Sequence, residues 1–205
     1  MEFTLYYRGP LKASSTRNRR RSEKHALRKH FHKQLKELWN QTPLSDHRHL
    51  VARRPRPVYT GIRRVDGALS IAREDLTLQC EVGKFMFAPL VSERLHMATD
   101  LTITLLRPEP PGRIVTQGGD IDNRLKTLLD ALKVPRQPDD LPASAEPSEE
   151  EMPFFCLVSD DQLITNLDIK TDRLLDPSAE ASEVVLLIHV RTRLLKGTLA
   201  NLGLV

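Results

Sequence analysis

Residues 118–132 read GGDIDNRLKTLLDAL. Leu125, Leu128, Leu129 and Leu132 recur at i, i+3, i+4 and i+7, so the spacing predicts a short helix over 123–133 with one face laid on a sheet. Asp120 and Asp122 stand at its mouth, behind Gly118 and Gly119. An aspartate just before a helix can cap the free N–H groups of the first turn, and capping alone is one reading of the pair. Asp122, Lys126 and Asp130 then follow at i, i+4 and i+8, on one face beside the leucines. Such a row is either an ordinary surface ion-pair ladder or a lysine placed to hold a phosphate one turn in from two carboxylates. Asp130, at its end, reads as a surface or supporting residue.

The helix is flanked by strand signals. LTLQCEV (76–82) and DLTITLL (100–106) alternate apolar and polar residues, and 85–91 forms an apolar run between them. FFCLV (154–158), QLITNLDI (162–169) and EVVLLIHV (183–190) complete the set, and MEFTLYYRG opens the chain as a strand. Residues 107–119, with three prolines and three glycines, read as a loop. Segment 135–153 is proline-rich, carries six acidic residues and is expected to be an exposed, disordered insertion. In 22–40, Leu27, Phe31, Leu35 and Leu38 predict an amphipathic helix, with Lys24, Arg28, Lys29, Lys33 and Lys36 on or near its other side. The Pro-broken stretch 48–64 reads as a basic loop. Runs of strands interrupted by two helices indicate one α+β domain over 1–205, a mixed sheet with a short motif helix and a longer basic one.

Charge is divided unevenly. Residues 1–64 hold 17 Lys/Arg against 4 Asp/Glu, whereas 65–205 hold 14 against 23. A basic N-terminal region of this kind either faces a polyanion or solvates a helix and an arm. Hydrophobic content of 40% and charged content of 28% suit a soluble globular chain. No apolar run reaches about 18 residues, so no membrane span is expected. MEFTLYYRGP has no basic lead before an apolar core, and the cytoplasm is the expected compartment. Cys80 and Cys156 both lie in strand-like runs and read as free thiols.

A third acidic site follows FFCLV: Asp160 and Asp161. Turn chemistry between strands accounts for aspartates there. A strand end is also a rigid mount, and carboxylates gathered at one point repel one another unless a cation sits among them. If the strand end meets the helix start, Asp120, Asp122 and Asp160 make an oxygen-rich cage suited to Mg²⁺ or Mn²⁺. The scattered histidines offer no zinc spacing.

These residues resemble the RusA-type Holliday junction resolvases, whose pattern is D-x-D-N-x-x-K, a Leu-rich helix ending in D-A-L, an acidic pair, a Gln and a later basic residue. Asp120, Asp122, Asn123 and Lys126 match the first motif without a gap, and Asp130, Ala131 and Leu132 match the helix end. Aligned on Gln162 and Lys170, the third carboxylate is Asp160; the residue that usually separates the acidic pair from the Gln is missing, which leaves Asp161 as a substitute. The likeness covers roughly 100–190, and the insertion 135–153 and the long basic helix depart from it.

The resemblance implies a Mg²⁺-dependent endodeoxyribonuclease acting on branched DNA in recombination and repair, working as a homodimer, often of prophage origin. It implies metal ligation by Asp120, Asp122 and Asp160, charge stabilisation by Lys126 and a supporting role for Asn123. Phosphate contacts are expected from Arg17, Arg19, Arg20, Arg21, Arg28, Lys29 and Lys33. Three other readings stay open: a flap or structure-specific nuclease, a DNA-binding protein that keeps the fold but does not cut, and a protein–protein module docked through 135–153.

Overall fold

The structure is a computed structural model that describes residues 1–11, 17–54, 56–108, 121–180 and 182–205. Its main sheet has four strands in the order β1 (Glu2–Pro10), β9 (Glu183–Leu194), β6 (Met97–Arg107), β8 (Ile164–Arg173). The β1–β9 and β9–β6 pairs are antiparallel, whereas β6 and β8 run parallel. A smaller sheet joins β4 (Cys80–Val82), β5 (Phe85–Val91) and β7 (Phe154–Val158), with β5 and β7 parallel. The α+β class and the mixed pairing follow the expectation. β6 alternates buried and half-buried residues along most of its length, whereas β7 is buried throughout. The first pattern suits a sheet with one wetter face, the second a strand covered on both. Among the described residues no helix is long and apolar enough to cross a membrane.

Two α-helices cover the sheets: α1 (Arg17–Leu38) and α2 (Ile121–Leu132). α1 buries Leu27, Phe31 and Leu35, with Trp39 just beyond its end, in one core with β1, β6 and β9 side chains such as Leu5, Ile103 and Ile188. His25, Arg28 and His32 form a second buried stripe beside the leucines. A face this wide follows from two neighbours, because α1 packs against both β7 and α2. The expectation of one apolar face with the bases opposite is corrected here: Arg28 is inside, 2% exposed.

Two further expectations change. Residues 48–64 are not a loop: Leu44–Val51 is a 3₁₀ segment, and β2 (Arg56–Val65) pairs antiparallel with β3 (Ala68–Leu76) in a hairpin. Asp66 and Gly67, at φ 50° and 83°, make its two-residue turn, the Asp-Gly signature of a tight hairpin. Segment 135–153 is not disordered. It holds 3₁₀ turns at Pro138–Asp140 and Glu149–Glu151, each closed by a capping box, and its Leu141 enters a satellite core with Phe85, Phe87 and Phe154. The segment is drawn onto α1, where Lys29 meets the Glu151 carboxylate at 2.9 Å and Lys36 donates to the Glu150 backbone carbonyl at 2.8 Å. Both cysteines are free; burial pushes the Cys156 thiol up to about 12.

Candidate functional site

α2 begins at Ile121, so Asp120 directly precedes the first helical residue and Asp122 falls in the first turn. Asp120 itself and the side chain of Asp122 lie outside the described residues. Asn123 and Lys126 are exposed on the following turns. The Thr127 hydroxyl donates back to the Asn123 carbonyl at 2.9 Å.

The acidic pair is fully described. β7 runs out at Val158, and Asp160 caps the 3₁₀ turn Asp161–Leu163 by accepting from the Gln162 N–H at 3.0 Å. Arg136 donates to Asp160 Oδ2 at 3.1 Å and lies 3.6 Å from Asp161 Oδ1; Lys133 donates to Asp161 Oδ2 at 2.5 Å. The Gln162 N–H first, and Arg136 with it, hold the Asp160 carboxyl below the usual aspartate range. Burial alone would lower the Lys133 ammonium, but its bonds to Asp161 and Asp130 carry it above the ordinary lysine value.

These contacts lie at the far end of α2 from the paired aspartates. Val134 donates to the Val158 carbonyl at 3.1 Å, so the chain leaving α2 runs beside the end of β7. From Asp122 to Leu132 the helix rises about 15 Å. Among the described residues the end of β7 thus meets the end of α2, and the expected meeting with Asp120 and the Asp122 side chain falls outside those residues. No group of three His, Cys, Asp or Glu that could hold a metal occurs among those residues. Two adjacent carboxylates are hard-cation donors in kind, but here Arg136 and Lys133 already occupy them.

Asp130 is neither a surface group nor a partner of Lys126. It is half-buried and paired with Lys24 of α1 and with Lys133 at 3.2 Å. Burial would raise its carboxyl, yet the two ammonium groups hold it below the ordinary range. Lys133 thus links the helix–helix contact to the acidic pair. Sequence reasoning missed Lys24, Lys133 and Arg136 as a group; the i, i+3 spacing of Asp130 and Lys133 was the available signal.

The basic helix is less free than its charge suggests. Arg28 donates from Nη2 to the Asp130 carbonyl at 2.9 Å, Arg21 lies 3.4 Å from Asp139, and Lys29 is held by Glu151. The physical reason is neutralisation: the acidic segment has taken up bases that were expected to meet phosphate. Lys33 is exposed, and the side chains of Arg17, Arg19 and Arg20 lie outside the described residues. The β2–β3 hairpin, by contrast, presents exposed Arg64 and Arg73 with exposed Tyr59, Ile62 and Leu69; the Arg73 guanidinium stacks 4.9 Å over the Tyr59 ring. No protein-family model, curated protein or solved structure matches this chain.

Proposed function

We propose that the chain is a divalent-metal-dependent endodeoxyribonuclease that acts on branched DNA. The observation that carries this reading is the run Asp120, Asp122, Asn123, Lys126 at the mouth of α2, the ungapped motif of the RusA-type resolvases, with Asp160 and Asp161 after the next strand. Carboxylates beside a polyanion repel it unless a cation is present, so a protein that only bound DNA would gain nothing from this cluster. An ion held by Asp120 and Asp122 would supply an activated water and neutralise charge on the scissile phosphate. Lys126, exposed one turn in, would stabilise charge on the phosphoryl oxygens. Lys33 on α1 and Arg64 and Arg73 on the hairpin offer further phosphate contacts.

A second reading has its own support. Asp160 and Asp161 are already bridged by Lys133 and Arg136, as in a DNA-binding protein that keeps the fold without cutting. The two separate when purified protein is given a labelled four-way junction, a flap and a plain duplex, with Mg²⁺ or EDTA, beside Asp122→Asn. Paired cuts in the junction, lost with EDTA and in the variant, support the resolvase reading. Preferred cutting of the flap moves the substrate and keeps the chemistry. Tight junction binding with no cutting under Mg²⁺ or Mn²⁺ overturns the enzyme.

A further inference from the structure

Beside the acidic pair is a cavity of about 150 Å³ between α1, the end of α2 and the residues that follow it. Lys24, Arg28, Lys133 and Arg136 line it with Asp130 and Asp140; Lys24 pairs with Asp130, and Lys133 and Arg136 with Asp161 and Asp160 just outside, so Arg28 is the lining base with no carboxylate partner among the described residues. Arg28 is the notable member. It is buried, its Nη2 is used by the Asp130 carbonyl, and its Nε and Nη1 are buried with no hydrogen-bond partner among the described residues. A buried guanidinium with two unmatched donor groups is costly unless an acceptor reaches it. Both carboxylates that share the cavity are committed elsewhere: Asp130 to Lys24 and Lys133, and Asp140 Oδ2 to the N–H groups of Arg136 and Gln137 at 3.1 and 3.2 Å.

We propose that this cavity is a phosphate site, taking one phosphate group against Arg28, Lys24 and Arg136. Its volume holds about five waters, at roughly 30 Å³ each, enough for one such group. It falls short of the roughly 300–1,000 Å³ of pockets that enclose larger ligands. A carboxylate brings one charge and two oxygens, whereas phosphate brings more of both and matches the planar Arg fork while leaving acceptors for the lysine. The group comes either from a nucleic-acid backbone or from free phosphate. The first source would place a backbone phosphate next to Asp160 and Asp161, since Arg136 reaches both.

The test is calorimetric titration of the full chain in EDTA with inorganic phosphate, and with acetate at matched ionic strength. Working without metal and reading heat separates it from cleavage, so neither result decides the other. The expected outcome is binding of phosphate in preference to acetate, weakened about tenfold or more in Arg28→Met and in Lys24→Met. Repeating the titration with a short oligonucleotide present separates the sources: loss of the phosphate signal assigns the site to nucleic acid, and its persistence assigns it to free phosphate. No preference for phosphate over acetate overturns the proposal, as does unchanged affinity in both variants. Should Arg28→Met fail to fold, Lys24→Met and Arg136→Gln carry the test, and unchanged phosphate affinity in that pair overturns it equally.

Discussion

The backbone N–H of Phe155 donates to Nδ1 of His32 at 2.8 Å. β7 is an edge strand of its sheet, and this bond satisfies an edge donor with a side chain of α1 in place of another strand. His32 Nε2 faces the Glu150 carbonyl at 3.3 Å, so the ring is neutral with its proton on Nε2. One imidazole thereby joins α1, β7 and the acidic segment. Burial lowers its proton affinity, against the pull of the Glu150 carbonyl.

His25, a neighbour on the same stripe, makes the fold acid-sensitive. Burial, then the charges of Arg28 and Lys29, push it from the ordinary 6.5 down to about 4, with Glu151 opposing. A base that binds its proton more weakly when folded leaves stability intact above pH 6.5, and stability is lost as pH falls toward 4. Neither ring nitrogen of His25 has a hydrogen-bond partner among the described residues, so His25→Leu costs little at neutral pH. Urea unfolding at pH 7 and pH 5 is expected to show the wild type losing about 1–2 kcal/mol more than the variant. Equal losses would remove His25 as the cause.

Lys133→Met removes the shared partner of Asp130 and Asp161 in one change. Asp130 keeps Lys24, so the expected destabilisation is about 1–2 kcal/mol rather than the larger cost of stranding a buried charge. The sign with pH follows from the carboxylate. Asp130 titrates lower when folded, so its contribution is whole at neutral pH and is lost as pH falls through its depressed value. A double-mutant cycle with Asp161→Asn, read by urea unfolding, should give a coupling of about 0.5–1 kcal/mol, since Asp161 is partly exposed. Zero coupling would mean that the Lys133–Asp161 contact contributes nothing to folding.

The β2–β3 hairpin is expected to tolerate change at its outer face. Ile62 and Ile71 are cross-strand partners and stay 67% and 56% exposed. Replacing both by Thr should move stability by no more than about 0.5 kcal/mol. Leu76→Ala, at the buried foot of the hairpin, should cost about 2–4 kcal/mol. If the hairpin grips DNA, the double Thr variant weakens junction binding without altering the unfolding midpoint, which a filter-binding titration reads directly. A large stability loss would instead show that the face is packed.

Periodicity carried much of the fold. The strands at 85–91 and 154–158, the leucine face of α2 and the Leu27–Phe31–Leu35 face of α1 were legible because alternation and helical spacing are local properties of the chain. The hairpin was missed for a local reason too: prolines at 55 and 57 suggested a loop, while Asp66-Gly67 was the stronger signal. Candidate residues were legible as chemistry, in that aspartates at a helix mouth and after a strand name a class of site. Which of them meet was not.

By itself, then, the sequence determined both α-helices and most of the strands, the α+β class and the carboxylate motif at the mouth of α2. Only the tertiary structure decided that Arg28 is buried, that the acidic segment 138–151 neutralises Lys29 and Arg21, and that Asp160 and Asp161 sit against Lys133 and Arg136. The reason is physical. Helical and strand spacing act within a few residues, but a charge finds its counter-ion wherever packing brings one within reach, here from Lys29 to Glu151 and from Lys24 to Asp130.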